Sequence, residues 1–384
     1  MNNRERFQAI MNFEPVDRYI NFEGAIWPQT MKRWIAEGLP ESNLSPSFKL
    51  KSDLLEDGVL GVNMFGLDVF QCLDIKVQEP YPFQDIKILS EDERTYIYID
   101  QLGTKRRGLK VGRLGNTSMS MDQFLDYPVK DRKSFSKWKK RFEGHYTERY
   151  PSNWEEKKRK WKNRDSVLLA PGGGKFGFYG MSVYQIGIAN LPFLMHDDPV
   201  LTEEIFDFWT DYIIGLLDKA VKEVDIDYYL YFEDMACKGG PMVSPSNVKK
   251  YFVPRYKKIN EFLRSNGVKH IFVDSDGNIE SLIPLFIESG INGVAPLEAA
   301  SGMDAVKLRK EYGKDLLMMG NIDKREIAKD KKAIETEVKY KGSIIEKGGY
   351  IPTIDHSIGP DISLENFKYY LKLKSKMLGY TING

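Results

Sequence analysis

Apolar runs of strand length alternate with amphipathic stretches of helix length through the second half of the chain. The predicted strands are 228–232, 270–273, 293–296, 316–319 and 350–354, and the predicted helices are 246–265, 279–289, 304–312, 324–346 and 364–378. Strands that alternate with helices of this length pair in parallel through right-handed crossovers. We therefore predict an α/β fold, a (β/α)8 TIM barrel, with an open doubly wound sheet as the alternative.

The first half of the chain is predicted to supply further strands and helices of the same barrel, together with segments that pack on it. Residues 1–384 are therefore expected to form a single domain. Its predicted elements are a helix at 4–11, a strand at 19–23, an amphipathic helix ending near Gly38, a strand at 166–170, a helix at 179–191 and a long helix that starts at Asp198-Pro199. Between about 65 and 165, period-two segments at 86–89, 95–100 and 109–111 predict an antiparallel β excursion. The charged stretch 132–164 is typical of two solvated helices, with a docking surface for a partner as the alternative.

Charge balance and cysteine content narrow the class of protein. Lys and Arg number 56 and Asp and Glu 55, a net charge of +1, so no electrostatic attraction to nucleic acid is expected. The two cysteines, Cys72 and Cys237, cannot build a disulfide framework. The sequence shows neither the apolar core of a signal peptide nor an apolar run of membrane-spanning length. We expect a cytoplasmic protein, monomeric or homodimeric, that binds neither nucleic acid nor membrane.

Polar residues follow five of the predicted strands, in the stretches 227–234, 270–277, 293–298, 316–323 and 350–356. The carboxyl ends of the strands form the active face of a barrel, so such residues are the first candidates for chemistry. Carboxylates that cluster raise one another's pKa, which allows one of them to act as a neutral acid near neutral pH. The candidates are Glu233, Asp274, Asp276 and His356.

A set of motifs extends over nearly the whole chain. They are Phe232-Glu-Asp-Met-Ala with Gly240-Pro-Met-Val-Ser-Pro245, Val273-Asp-Ser-Asp-Gly-Asn278, Gly320-Asn-Ile-Asp323, Gly348-Gly-Tyr-Ile-Pro-Thr-Ile-Asp-His356 with Pro360, Glu14-Pro-Val-Asp-Arg18 and Phe124-Leu-Asp-Tyr-Pro-Val-Lys-Asp131. Together they resemble the uroporphyrinogen decarboxylase superfamily. The resemblance implies a (β/α)8 barrel with its pocket at the carboxyl ends of the strands. It also implies one of two activities: cofactor-free decarboxylation of a tetrapyrrole, or methyl transfer to or from a corrinoid (cobalamin) carried on a separate partner protein.

The two activities require different residues, and the chain departs from the decarboxylase pattern. True decarboxylases resemble one another in an arginine-rich N-terminal loop that binds the carboxylates of the tetrapyrrole. The corresponding stretch here, 21–29, contains no arginine and has the acidic Glu23. Without bidentate guanidinium groups a polycarboxylate lacks its usual partners. The resemblance therefore favours the corrinoid-dependent methyltransferase branch, with a decarboxylase or a non-catalytic ligand-binding barrel as alternatives.

The metal site implied by the resemblance is also altered. Zinc-dependent methyltransferases of the superfamily carry a His-x-Cys pair and a further cysteine, where this chain has Asp274-Ser-Asp276 and His356. Thiolates favour zinc, whereas carboxylates and imidazole suit a harder or weaker site. The alternatives are an oxygen-rich metal site, with zinc as one candidate metal, or no metal. Its tentative ligands are Glu233, Asp274, Asp276 and His356.

The predicted reaction transfers a methyl group from a small methylated substrate of the methyl ether or methylamine type. A proton donor at the leaving group lowers the barrier, and we assign this role to His356, Glu233 or Asp276, with Asp274 orienting its neighbour. Hydrogen bonds to substrate are predicted from Asn321 and Tyr231. An apolar wall is expected from Trp27, Phe65, Phe176, Phe178 and Tyr179. For Asp234 and Asp323, capping of the helices that follow them is favoured over a direct role in the chemistry. Glu298 is expected to brace a loop.

Overall fold

The computed structural model describes residues 1–40, 59–60, 65–110, 113–114, 117–118, 122–171 and 176–380. Only Pro171 of the glycine-rich turn 171–174 lies within these ranges. Within the described ranges every helix is too short or too polar to span a membrane.

The central element is a sheet of seven parallel strands with one antiparallel strand at its edge. The sheet order is β1(Val59–Leu60), β2(Phe70–Cys72), β9(Val167–Ala170), β10(Tyr228–Phe232), β13(His270–Asp274), β14(Gly293–Ala295), β15(Leu317–Ile322) and β16(Tyr350–Ile354). The other described strands are β3(Lys87–Glu91), β4(Thr95–Ile99), β5(Lys105–Leu109), β6(Arg113–Leu114), β7(Thr117–Ser118), β8(Gln123–Asp126), β11(Ala236–Cys237) and β12(Gly240–Pro241).

Helices connect the parallel strands, as the alternation in the sequence predicts. They are α1(Asn3–Met11), α2(Pro28–Ala36), α3(Arg132–Lys139), α4(Trp154–Lys162), α5(Phe178–Ile186), α6(Asn190–Asp197), α7(Pro199–Glu223), α8(Pro245–Asn247), α9(Val253–Ser265), α10(Ile283–Glu288), α11(Ala305–Tyr312), α12(Lys324–Ile327), α13(Lys331–Gly342) and α14(Leu364–Met377). A π-helical turn at Val248–Phe252 joins α8 to α9. The helix that was predicted at 324–346 is divided, because Asp330 caps a second helix.

The curled sheet is barrel-like but does not close as a continuous hydrogen-bonded ladder. The predicted first strand at 19–23 is not a regular strand; its chain is extended and lies between β2 and β16. On one side, Asp68 N–H donates to the Asn21 carbonyl (2.8 Å). On the other, Ile354 N–H donates to Glu23 Oε2 (2.9 Å), and Ile26 forms an isolated parallel bridge with Ile358. The prediction of a fully closed eight-stranded barrel is therefore corrected: at the last seam an irregular segment, joined by isolated backbone hydrogen bonds and by the Glu23 side chain, takes the place of a strand.

Large side chains fill the interior of the curled sheet. Successive strand residues point to opposite faces, so Tyr228 packs inside with Phe70 and Phe272, whereas Tyr229 and Tyr231 pack outward in the layer beneath the helices. Helix α1 covers the amino-terminal end of the sheet through Phe7 and other apolar residues. The amino-terminal end is thus filled with hydrocarbon, which leaves the carboxyl ends of the strands as the open face.

The predicted antiparallel excursion is a four-stranded sheet in the order β3-β4-β5-β8. The third strand is Lys105–Leu109, rather than the predicted 109–111. The sheet contacts α5 through Thr104, whose hydroxyl donates to the Tyr184 carbonyl (2.7 Å), and through the guanidinium of Arg106, which lies over the Tyr184 ring. The excursion therefore packs against the helix that starts near the open face of the large sheet.

Candidate functional site

Strands β10, β13 and β16 bring their carboxyl ends to one face. The register pairs Phe232 with Asp274, and the following Glu233 N–H donates to the Asp274 carbonyl (2.8 Å). Across this face, His356 Nε2 lies 3.5 Å from Asp276 Oδ2. Both side chains are about one-third exposed, so the pair is open to a ligand. The structure thus places Asp274, Asp276 and His356 at the carboxyl ends of the strands, and their role as site residues stays a prediction.

The loop that carries Asp276 is held by two neighbouring segments. Gly277 adopts φ +82°, and a Cβ built on it would lie 2.5 Å from the Ala236 carbonyl carbon, so a side chain has no room there. Asn278 N–H donates to the Cys237 carbonyl (2.9 Å), and Glu298 Oε2 accepts from Gly277 N–H (3.2 Å). The β11–β12 hairpin and Glu298 thus fix the position of Asp276, and the expectation that Glu298 braces a loop is confirmed.

The site combines the partly buried carboxyl of Asp274 with the His356–Asp276 ion pair. Burial raises the pKa of Asp274 well above its usual range, and the charges of Asp276 and Asp234 act in the same direction. The Asp276 carboxylate raises the pKa of His356 above its ordinary value, against the opposing effect of partial burial. The arrangement can therefore hold protons on both Asp274 and His356 at a pH where ordinary side chains of these types have lost them.

The Glu233 side chain is enclosed by other protein groups and is not open to a substrate. Its carboxylate accepts from the N–H groups of Phe178 (3.0 Å), Tyr179 (2.7 Å) and Gly180 (3.2 Å) and from the Tyr256 hydroxyl. The side chain is fully buried, and burial raises its pKa to about 7 although these hydrogen bonds oppose the shift. Glu233 therefore anchors the first turn of α5 to the end of β10, and both of its oxygens are occupied. This placement contradicts its predicted role as a proton donor to substrate.

The two predicted hydrogen-bond donors to substrate face away from the site. Tyr231 is fully buried and donates its hydroxyl to Asn260 Oδ1 (2.8 Å) in the helical layer. Asn321 is also fully buried; its Nδ2 donates to two backbone carbonyls, and its Oδ1 accepts from Ala305 N–H (2.7 Å) and Lys341 Nζ (2.6 Å). The prediction that Tyr231 and Asn321 bind substrate is therefore corrected. Tyr231 points outward because side chains alternate along the strand, so that it shares the outer face of β10 with Tyr229.

Only some of the aromatic residues that were predicted to line the pocket lie near this face. Trp27 is half-buried and its N–H donates to the Ile358 carbonyl (3.1 Å), which places it beside the segment that follows His356. Tyr179 lies at the first turn of α5 against Glu233. Phe176 and Phe178 are core residues, and Phe65 packs with Trp34 and Phe367 in a separate apolar cluster. Substrate contact by Trp27 and Tyr179 stays a prediction.

The residues present do not fit the predicted metal site. Glu233 has no free oxygen for a cation, because backbone amides and Tyr256 occupy its carboxylate. Within the described ranges, no group of three or more His, Cys, Asp or Glu side chains is arranged to hold a metal ion. The prediction that one metal ion is bound jointly by Glu233, Asp274, Asp276 and His356 is therefore corrected.

Asp234 is a site residue that the sequence interpretation assigned mainly to helix capping. A hairpin and not a helix follows it, and Asp234 adopts φ +51°. Its Oδ1 lies 3.4 Å from Asp276 N, and its charge contributes to the raised pKa values of Asp274 and Tyr179. The left-handed backbone is the signal that identifies it, and Asp tolerates this conformation better than most residues. By contrast, Asp323 caps α12 as expected, accepting from Arg325 N–H (2.9 Å).

Comparison with solved structures identifies proteins of similar fold. The solved structure of a methyltransferase from Methanosarcina mazei has the same fold, with a TM-score of 0.62 at 16% identity over 98% of this chain and 99% of that chain. A B12-independent methionine synthase from Shewanella sp. W3-18-1 aligns over 58% of this chain and 65% of that chain at 14% identity, with a TM-score of 0.37.

Sequence comparison matches the half of the chain that carries the site. A uroporphyrinogen decarboxylase from Campylobacter lari is 26% identical over 170 residues, which span 44% of this chain and only 40% of that protein. The family model described as uroporphyrinogen decarboxylase (URO-D) matches residues 180–376, just over half of the chain. The protein therefore belongs to the uroporphyrinogen decarboxylase family.

Proposed function

We propose that this protein is a methyltransferase that moves a methyl group between a small methylated substrate and a corrinoid carried on a partner protein. The observation that carries the proposal is the His356–Asp276 pair, 3.5 Å apart at the open face, near the partly buried Asp274. Such a pair suits proton donation to a leaving group. The fold likeness to the Methanosarcina mazei methyltransferase, over almost the whole of both chains, supports the same activity.

The charge of the site argues against a polycarboxylate substrate. Asp234, Asp274 and Asp276 make this face acidic, and the basic Lys324 at the same face has its Nζ 3.8 Å from Glu298 Oε1. Glu23, at the position where decarboxylases resemble one another in carrying arginines, forms a fully buried ion pair with Lys374. This carboxylate serves to hold α14 against the extended segment 19–26. Neither feature supplies the guanidinium pairs that bind carboxylates well.

The chemistry assigned to this chain is binding, orientation and proton transfer. A reduced corrinoid on the partner, when bound, supplies the nucleophile for the methyl carbon. The His356 imidazolium donates a proton to the oxygen of a departing methyl ether. Asp276 orients the imidazole and stabilises its charged form, because an adjacent carboxylate favours the imidazolium. The role of Asp274 is to hold a further proton or a positively charged group beside the pair.

The proposal is tested with purified protein, free cob(I)alamin as the methyl acceptor and a panel of methoxylated aromatics and methylated amines. We expect the methylcobalamin spectrum to develop with at least one donor and to require His356 for ether donors. A His196→Gln variant, altered at a histidine that is 89% exposed on α6, serves as the matched control. Absence of methylcobalamin with every donor contradicts the proposal.

The second candidate is decarboxylation, which the name of the family and of the Campylobacter lari relative favours. Uroporphyrinogen is incubated with the protein under anaerobic conditions, and the number of carboxylates on the product is measured by mass spectrometry. Formation of coproporphyrinogen at a rate that depends on Asp274 would replace the methyltransferase proposal. Ligand binding without turnover in both assays would instead identify a non-catalytic binding barrel.

A further inference from the structure

Strand β3 is the outer edge of the antiparallel excursion. In the sheet order β3-β4-β5-β8 it pairs with β4 on one side, and none of the described strands pairs with its other side. All five of its residues, 87–91, are exposed. An edge strand presents a row of backbone N–H and carbonyl groups that can pair with a further strand. The sheet can therefore be extended along this edge.

Exposed apolar side chains concentrate at the same edge. Ile86, Ile88 and Leu89 are 49%, 59% and 43% exposed. Ile88 pairs in register with Tyr98 of β4, which is only 6% exposed. Side chains that are opposite each other on paired strands share one face of the sheet. The apolar face of β4 thus continues to β3 and ends there uncovered, which is typical of an interaction surface.

The charges of β3 identify a second copy of this chain as the partner. Charged residues on an edge strand normally oppose pairing, because like charges repel when two edges meet. Strand β3 instead carries one charge of each sign, Lys87 at its start and Glu91 at its end. In an antiparallel pair of two β3 strands, the basic end of each strand meets the acidic end of the other. Glu91 lies 2.9 Å from Lys110 Nζ and is still 62% exposed, so its carboxylate can also contact a partner.

We propose that two copies of this chain form a dimer in which their β3 strands pair in antiparallel orientation about a two-fold axis. The axis is perpendicular to the sheet, so the apolar faces of both copies lie on the same side and Ile88 of each copy covers the edge of the other. The contact uses the β3 edge of both copies, and assembly therefore stops at two. This dimer does not depend on the proposed function.

The length of the contact determines the expected affinity. The register of β3 against β4 shifts between Ile88 and Ser90, and a bulge of this kind disrupts a ladder locally. Because the strand has only five residues and contains the bulge, the paired ladder is short. We expect a dissociation constant in the micromolar range, so that the dimer separates on dilution.

Sedimentation equilibrium of the purified protein measures this constant. Ile88→Lys places a cation in the apolar part of the contact and should weaken the dimer by at least about 10-fold. Ile188→Lys is the matched control, because Ile188 is 46% exposed and lies outside the excursion. It should leave the constant unchanged. Both substitutions replace exposed side chains, and circular dichroism verifies that the variants fold.

Charge reversal tests the antiparallel orientation. Lys87→Glu brings acidic groups together at both ends of the contact, and Glu91→Lys brings basic groups together. Each variant alone should associate about 3- to 10-fold more weakly than the wild-type protein. An equimolar mixture of the two variants restores opposite charges at both ends. We therefore expect the mixture to form a heterodimer that is tighter than either variant with itself.

Hydrogen exchange tests the same contact without any substitution. The backbone amides of 86–91 should be protected at high concentration of the wild-type protein and lose this protection on dilution. A protein that stays monomeric at high micromolar concentration overturns the proposal, as does a dimer that Ile88→Lys leaves intact. Exchange at 86–91 that is independent of concentration also overturns it. If the mixed charge variants associate no more tightly than each variant alone, the antiparallel orientation is wrong.

Discussion

His356 Nε2 lies 3.5 Å from Asp276 Oδ2, and this pair joins the segment after β16 to the loop after β13. The two residues are 80 positions apart, and only the curvature of the sheet brings them together. The separation is that of an ion pair rather than of a short hydrogen bond. A small movement on ligand binding is therefore enough to change how firmly the proton is held.

Replacing His356 by Gln is expected to lower kcat/KM for a methyl ether donor by about 10²- to 10⁴-fold, the range typical of a lost general acid. Asp276→Asn should shift the pH dependence. Asp276 raises the pKa of His356 above 6.5, and activity carried by the imidazolium is lost as pH rises through this pKa. Removing the carboxylate therefore moves the loss of activity to lower pH. An unchanged pH profile in Asp276→Asn would show that the pair does not act as the acid.

Gly177 is expected to tolerate no side chain, although its backbone is ordinary extended chain. A Cβ on Gly177 would lie 2.4 Å from the Glu233 carboxyl carbon. Gly177→Ala must displace the group that anchors α5, and we expect it to lower the free energy of unfolding by about 1–3 kcal/mol. Gly239→Ala is the control, because a Cβ there meets nothing within 4 Å. Equal stability of the two variants, measured by urea denaturation, would contradict this view of Glu233.

Lys374 and Glu23 form an ion pair in which both side chains are 0% exposed. Lys374→Met leaves the Glu23 carboxylate buried without its cation, and we expect a loss of about 3–5 kcal/mol in the free energy of unfolding. The double variant Glu23→Gln/Lys374→Met should recover part of this loss. Lys258→Met, which breaks the exposed pair with Asp211, should cost no more than about 1 kcal/mol. A Lys374→Met variant as stable as Lys258→Met would be inconsistent with this role for the pair.

His270 is expected to weaken the fold in acid. Burial lowers its pKa from 6.5 to about 4, an effect that Lys269 and Arg264 strengthen and Asp227 opposes. The unfolded chain therefore takes up the proton first, and the free energy of unfolding falls as pH falls from 6.5 towards 4, by about 3 kcal/mol in total. His270→Gln removes this contribution.

The measurement is the free energy of urea unfolding as a function of pH for the wild-type protein and His270→Gln. The difference between the two curves should change over this interval and level off below it. His145→Gln, altered at a partly exposed histidine, is the control and should follow the wild-type curve more closely. Parallel curves for the wild-type protein and His270→Gln would refute the prediction.

The order of elements in the second half of the chain could be predicted from the sequence alone. Strand β10 was predicted with its observed bounds, and α7 begins at Pro199 behind the Asp198 cap, as the dipeptide indicates. These features depend on local rules: apolar runs bounded by polar residues, and a proline that suits the first helical turn. The same rules fail at 19–23, where an irregular segment joins the sheet edges through isolated backbone hydrogen bonds and the Glu23 carboxylate rather than through a continuous ladder.

The direction of each side chain was decided by tertiary structure. Three residues lie in or directly after strands, as site residues do, but their polar atoms bind helices instead. Glu233 binds α5, Tyr231 binds α9 and Asn321 binds α11. Asp234 was assigned to a helix cap, and its left-handed backbone turns it instead towards Asp274 and Asp276. Sequence pattern fixes where a strand ends, because burial and periodicity are local properties. Which polar group then faces the open end depends on contacts made across the sheet, and those exist only once the chain is folded.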